Sequence, residues 1–315
     1  MLKHRILATL ATLSIFAIAG CESGSDPVAP ATSDDAATES NAVLGGRVSY
    51  DFQAFDVPAE MGNYTSAFGN NNLGTIVGNY AAPDGNAHGF IYRNGRFIDV
   101  AVPDAASFDR GSLTDINELG IAVGSFTDVD DVAHTFVRGP FGNIAALPDR
   151  APDALSSEGY GINNRGTIVG NFRDAAGIRH GFIWRAGQYT TFDPPGARST
   201  RLNAINDRGE IAGQYTDAES HVHGFILRDG NIQPVEFPGA VSSRASSINN
   251  RGHITGFYNN DDGVWHGFVY RDGEYTAVDF PGSIDTVAFG INDWGTFVGT
   301  YDEFSRGFVA VPRRH

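Results

Sequence analysis

The hydrophobic positions of this chain come in short bursts, and none of them draws a helical stripe. From residue 47 onward, runs of roughly four to eight residues rich in Val, Ile, Phe and Tyr are bounded by Gly, Asn and Asp, the signature of strands joined by tight turns. The runs recur as a group. GINNRGTIVGNF from Gly161, NAINDRGEIAGQY from Asn203, SSINNRGHITGFY from Ser246 and FGINDWGTFVGTY from Phe289 are copies of one motif. TDINELGIAVGSF from Thr114 is a fifth copy and FGNNNLGTIVGNY from Phe68 a sixth. Their shared asparagine falls at Asn71, Asn117, Asn163, Asn206, Asn249 and Asn292, with spacings of 46, 46, 43, 43 and 43 residues.

A second motif follows each copy: HGFIYR from His88, HTFVR from His134, HGFIWR from His180, HGFILR from His223, HGFVYR from His266 and RGFVAV from Arg306. A third closes most units, with Pro195, Pro238 and Pro281 in register and Pro103 and Pro148 in weaker versions. Each unit thus splits into four strands. The turn NNRG offers a glycine where a left-handed residue is wanted, and its Asn can bond the backbone two residues on. Arg-Asp-Gly or Arg-Asn-Gly marks a second hairpin between the third and fourth strands.

Four antiparallel strands, six times over at this period, predict an all-β fold, a six-bladed β-propeller of four-stranded antiparallel blades. The ends support it. Residues 50–58, YDFQAFDVP, match the fourth-strand motif, with Phe52 six residues before Pro58 as Tyr275 is before Pro281. The last copy lacks a fourth strand of its own, so residues 47–58 are expected to supply it and close the ring. Closure removes the exposed edges that invite aggregation. Residues 47–315 are therefore the propeller.

The first 46 residues belong to a different kind of segment. Met1 to Arg5 is basic, Ile6 to Ile18 is an apolar run too short to span a bilayer comfortably, and Ile18-Ala19-Gly20-Cys21 follows. This resembles the lipobox of bacterial lipoproteins. The resemblance implies a signal peptide over 1–20, cleavage before Cys21 and acylation of that cysteine, which anchors the chain to a membrane. Several acyl chains on one residue hold far better than a single chain. Glu22, where an aspartate would favour the inner membrane, points to the outer membrane. Residues 21–46 carry no aromatic residue and few large apolar ones, and read as a disordered tether. About 25 such residues reach roughly 25–30 Å on average.

Composition narrows the function. Asp and Glu number 37 against 22 Lys and Arg, a net charge of −15, and loss of Lys3 and Arg5 with the signal peptide makes the mature chain more acidic still. That balance argues against nucleic acid as a partner. The only cysteine is Cys21, so no intramolecular disulfide forms, and the only lysine is Lys3, so Schiff-base chemistry is excluded from the mature protein. The expected state is a monomer.

The recurring residues read as structural. His88, His134, His180, His223 and His266 share one position on the third strand. A metal ring is ruled out by distance: the third strand lies about 9–10 Å outside the innermost one, and zinc needs nitrogens at about 2.0–2.1 Å. Hydrogen bonding within each blade is the expected role. Arg93, Arg138, Arg185, Arg228 and Arg271 recur before the second hairpin and read the same way.

Function is sought where the pattern breaks. The NNRG and RDG turns share one face, and the two variable connections share the other, so the variable face is the candidate. Its outer-to-inner connections carry Arg110, Arg150, Arg198, Arg201 and Arg244. Arginine's planar fork suits carboxylate, sulfate or phosphate, which makes these a candidate anion patch. The acidic tips DVDD at Asp128 and NNDDG at Asn259 offer oxygens to calcium but match no full calcium-loop spacing; no other cofactor is indicated. Trp265 and Phe304 read as loop aromatics able to stack on a sugar or a partner. Asp115 is the lone carboxylate in an innermost-strand column otherwise made of Gly69, Gly161, Ala204, Ser247 and Gly290. As a general base or ligand it has no obvious pairing group.

The repeat INNxGxIVG followed by HGF and FPG resembles the bacterial extracellular HAF-repeat proteins over residues 60–312. The third motif here is His-Gly-Phe rather than His-Ala-Phe, and Thr135 and Arg306 break it further. The resemblance implies an exported repeat domain and transfers no catalytic residues. The leading functional expectation is a lipid-anchored binding or scaffolding propeller for a glycan, a peptide or an envelope protein. The alternative is a cell-surface enzyme (a polysaccharide lyase, lactonase or hydrolase) with its site at the channel mouth, although no nucleophile elbow, metal motif or phosphate loop is present.

Overall fold

Why these runs stack into blades is plain once the strands are placed. The computed structural model describes residues 48–102, 112–148 and 154–313. They form six four-stranded antiparallel sheets arranged as a six-bladed β-propeller, with no helix among the described residues. The inner strands, Asn63–Asn70, Ser112–Ile116, Ser156–Ile162, Ser199–Ile205, Ser242–Ile248 and Thr286–Ile291, begin blades 1 to 6 and neighbour one another around the axis. Cys21, Arg110 and Arg150, with the leader and the tether, lie outside the described residues.

Blades 1 to 5 run from inner to outer strand in chain order, and blade 6 borrows its outer strand from the other end of the chain. Tyr50–Ala54 pairs antiparallel with Arg306–Pro312, placing Phe52 opposite Ala310. Phe52 is buried and meets Phe280 and Phe297 edge-on. Two ion pairs fasten the seam: Arg306 to Asp56 at 2.8 Å and Arg313 to Asp51 at 2.6 Å. The expected ring closure is thus observed.

The first and second motifs explain the blade interior. The phenylalanine of each HGF-type motif, Phe90, Phe136, Phe182, Phe225, Phe268 and Phe308, is fully buried. Each such ring is worth roughly 1.5–3 kcal/mol relative to exposure. The strand-two glycine of IVG makes room for it: a Cβ on Gly256 would lie 2.5 Å from the Phe268 ring. The Gly of HGF faces the next blade, where a Cβ on Gly181 would lie 2.9 Å from Leu202. Blade 2 has Thr135 there instead, and the facing residue of blade 3 is Gly159, whose own Cβ would collide with the Thr135 methyl. A knob and a hole have changed sides.

Candidate functional site

Each repeated histidine meets at least one carboxylate of its own blade. His88 lies 3.1 Å from Asp84 and 2.9 Å from Asp99, and His180 lies 2.7 Å from Asp193 and 3.4 Å from Asp174. His223 bridges Asp217 and Glu236 at 3.0 and 2.8 Å, His266 reaches Asp279 at 3.1 Å, and His134 reaches Asp128 at 2.8 Å. The expected in-blade role is therefore met. The acidic tips are occupied by the same contacts: Asp128 Oδ1 accepts from the backbone N–H groups of Asp130 and Val132, and Asp262 Oδ1 from that of Val264. Among the described residues, no three or more such side chains converge as a metal-ligand set.

The channel has two unlike mouths. At the end formed by the NNRG-type turns, the six repeated asparagines make a closed circuit. The side-chain amide of Asn71 donates to the Asn117 carbonyl at 3.0 Å, and the step continues through Asn163, Asn206, Asn249 and Asn292 back to the Asn71 carbonyl. Each Oδ1 also accepts two backbone N–H groups of its own turn, as Asn163 does from Arg165 and Thr167. The next residues make a second circuit in which amide and carboxylate alternate: Asn72, Glu118, Asn164, Asp207, Asn250 and Asp293 each accept from the backbone N–H of the preceding blade. Amide donors tie the carboxylates together, as Asn250 does to Asp207 at 3.2 Å and Asp293 at 3.1 Å. Burial, with the charges of Asp293 and Asp207 adding to it, pushes Glu118 up. The cavity inside this mouth is only ≈ 70 Å³, room for a few waters and no sugar ring.

Below it the inner strands pinch together. A Cβ on Gly161 would lie 2.7 Å from the Ala204 Cα, so this column admits little. Asp115 occupies the pinch, where its carboxylate accepts from the backbone N–H groups of Ile116 and Ile162 at 2.8 and 2.9 Å. Burial raises it to about 7 despite those bonds. Ser247 does the equivalent for Ile291 in blade 5. Among the described residues neither a histidine nor an arginine contacts the Asp115 carboxylate, and each of its two oxygens accepts one of those backbone N–H groups. Its place is a structural staple between blades 2 and 3.

The second mouth, on the variable face, is built differently. Along the inner strand of blade 4, Thr200 and Leu202 are buried while Arg201 and Asn203 turn to the channel. The strand of blade 5 does the same with Arg244, and that of blade 3 with Glu158 and Tyr160. Arg201 and Arg244 therefore stand on strands, not on the connections that the sequence suggests; the buried alternation simply runs further. Trp265 likewise opens a strand, Trp265–Arg271, rather than lying on a loop, and Phe304 stays on an exposed tip. Arg198 is exposed at the top of blade 4 and donates to the Ala218 carbonyl, outside this group.

Cations collect here without partners. The Arg201 guanidinium lies 4.8 Å from the Tyr160 ring centre, and that of Arg244 lies 4.4 Å from Trp265 and 5.1 Å from Phe257. Such stacking is worth roughly 0.5–2 kcal/mol each. Arg179, which begins the third strand of blade 3, joins them. Burial, then the Arg201 charge, pulls both Arg179 and Arg244 below the usual arginine range. The Nε atoms of Arg179, Arg201 and Arg244 are buried and have no acceptor, and neither does the neighbouring Ser246 hydroxyl have a partner. No ion pair to these three arginines occurs among the described residues. Glu158 is spoken for: it accepts from the Tyr160 hydroxyl at 2.8 Å and the Asn171 amide at 2.9 Å. Burial lifts Tyr160 to about 12, which keeps that hydroxyl a donor. Phe68 and Phe289, 5.0 Å apart edge to face, continue the wall round to blades 6 and 1. The sequence points to Arg201, Arg244 and Trp265 but not to Arg179, Glu158 or Tyr160.

No family model matches the chain, and no curated protein does. Solved structures do. A gluconolactonase from Xanthomonas campestris is similar at 13% identity and a TM-score of 0.54 over 91% of this chain and 98% of that one. TolB from Acinetobacter baumannii is similar at 9% identity and 0.54, over 77% of this chain and 64% of that one. Virginiamycin B lyase from Staphylococcus aureus is similar at 12% identity and 0.51, over 83% and 99%. At such identities the likeness is one of fold.

Proposed function

We propose that this protein is an exported binding propeller, held on the cell envelope by a lipid on Cys21 and presenting its arginine-lined mouth to a ligand. The export and anchoring rest on the lipobox-like run before Cys21, the tether after it and the HAF-like repeats. The outer membrane is the proposed address. The binding role rests on one observation: three arginines of consecutive blades face one channel mouth with buried, unsatisfied Nε donors and, among the described residues, no carboxylate in ion-pair reach. A buried donor without an acceptor costs about 1–3 kcal/mol, a debt that an anionic ligand removes. The enzyme alternative finds less here, because Glu158 and Tyr160 are hydrogen-bonded to each other and Asp115 is bound to backbone.

The test is a screen of envelope glycans, peptides and proteins against the wild type and an Arg201→Ala/Arg244→Ala variant of unchanged thermal stability. Ligands captured by the wild type and lost by the variant support the reading. Capture that the double substitution leaves intact assigns binding elsewhere and rejects it. Anchoring is checked separately: Cys21→Ser should release the protein from the membrane fraction.

A further inference from the structure

We infer that the ligand of this mouth is a carboxylated sugar, its carboxylate on the Arg201 and Arg244 forks and its ring against the aromatic wall. The inference rests on the binding reading above and narrows it to a ligand class. Three features must be met by one molecule. The first is charge. Arg179, Arg201 and Arg244 converge from blades 3, 4 and 5 in a protein whose net charge is −15, and among the described residues Glu158 is the carboxylate beside them. Mutually repelling guanidinium groups held together by aromatic stacking are arranged for an anion that comes from outside.

The second is shape. Phe257, Trp265, Phe289 and Phe68 form a partly exposed aromatic arc through blades 5, 6 and 1, which adjoins the cations where Arg244 stacks on Phe257 and Trp265. A bare sulfate or phosphate ion would use the cations and leave the arc wet. A ring with one apolar C–H face and a carboxylate at its edge uses both.

The third is hydroxyl chemistry. The Ser246 hydroxyl, two residues after Arg244, is buried and has no partner, and neither has the side-chain carbonyl of Asn171, which lies opposite Glu158. An aliphatic or aromatic acid would leave such groups unpaired; sugar hydroxyls can both donate and accept. Charge, ring face and hydroxyls together describe a uronic acid residue. The other mouth differs: its carboxylates and amides tie one another in a closed circuit, no arginine lines its cavity among the described residues, and Asn70 Oδ1 is the unpaired polar atom there.

The experiment is calorimetric titration of the full mature chain in detergent with tetragalacturonate, its fully methyl-esterified form and inorganic sulfate. The acid form is expected to bind, the ester and sulfate at least tenfold more weakly. Arg201→Ala/Arg244→Ala should also cost at least tenfold. Arg201→Lys/Arg244→Lys, which keeps charge but loses the planar fork and guards against misfolding of the alanine variant, should fall between the two. Equal binding of acid and ester overturns the inference, as does tight binding of sulfate alone. If no uronate binds while the envelope screen still yields an arginine-dependent ligand, the sugar assignment fails and the binding reading survives. If no arginine-dependent ligand appears anywhere, both fail.

Discussion

The two ends of the central channel are made from the same six strands and behave as opposites. At the turn end, every blade contributes the same asparagine, and the twelve side chains of the two circuits hand hydrogen bonds from blade to blade until the circle closes. At the other end, blades 3, 4 and 5 contribute cations, blades 5, 6 and 1 contribute the aromatic arc, and several polar atoms find nothing. The two closed circuits mark the first end as the device that sets blade geometry. Internal dissatisfaction marks the second as the place where something else completes the structure. Recurrence alone does not separate the two roles; the state of the polar groups does.

Both ends exist only if the ring is closed, and the most damaging change should be to the seam. Removing residues up to 59 deletes the strand Tyr50–Ala54, together with Phe52 and the Asp51 and Asp56 ion pairs. Four buried aromatic or apolar side chains of that segment, Tyr50, Phe52, Phe55 and Val57, would be lost at roughly 1.5–3 kcal/mol each, and blade 6 would gain an open edge. A chain starting at residue 60 is expected to melt at least about 10 °C lower than one starting at 47, or to aggregate. Equal, equally cooperative melting of the two would remove the closed ring from consideration and both mouths with it.

The next largest effect should come from the asparagine circuit. Asn163→Ala removes the acceptor for two backbone N–H groups and the donor to the Asn206 carbonyl, in a site that is almost fully buried. A loss of about 2–4 kcal/mol in urea unfolding is expected, with ligand capture by the folded fraction unchanged. Arg244→Ala should show the reverse pattern, little or no loss of stability and a loss of binding, because it removes a repelling cation. If both substitutions affected stability and binding alike, the division of labour between the mouths would be wrong.

How much of this could be read from the chain depends on whether the relevant partner is local. The Asn-x-x-Gly turns, the strand count and the borrowed outer strand all rest on contacts within one repeat or on a visible gap in the pattern, and each is legible. The alternating row Asn72, Glu118, Asn164, Asp207, Asn250 and Asp293 is also visible in the aligned repeats, but it means something only once residue 293 is known to lie beside residue 72. Arg201 and Arg244 stand out by type, yet their assignment to connections is displaced because inner strands run longer than the apolar bursts imply. Arg179, Tyr160 and Glu158 stay hidden for a different reason. They come from two strands of blade 3 and meet Arg201 of blade 4 only through the curvature of the ring.

The smallest effect is on pH dependence, and it distinguishes the pinch from the blade rims. Asp115 ionises at about 7 in the native protein and near 3.9 in an unfolded chain, so the native state holds its proton longer. Stability then falls as pH rises from about 4 to about 7, by about 2 kcal/mol between pH 5 and 7, and stops falling once both states are ionised. The rim histidines act in a higher window. For His88 and His180, burial pulls downward but hydrogen bonds and attraction to Asp99, Asp84, Asp193 and Asp174 win; for His223, the Asp217 bond leads. All three are raised, so their stabilisation is complete below the ordinary value of about 6.5 and is lost as pH climbs through the raised native values. Asp115→Asn should therefore flatten the stability curve between pH 4.5 and 6.5 and leave the decline at higher pH in place. Parallel curves for the variant and the wild type across the lower window would show that Asp115 is ionised in the pinch, and would return it to the set of carboxylates available for chemistry.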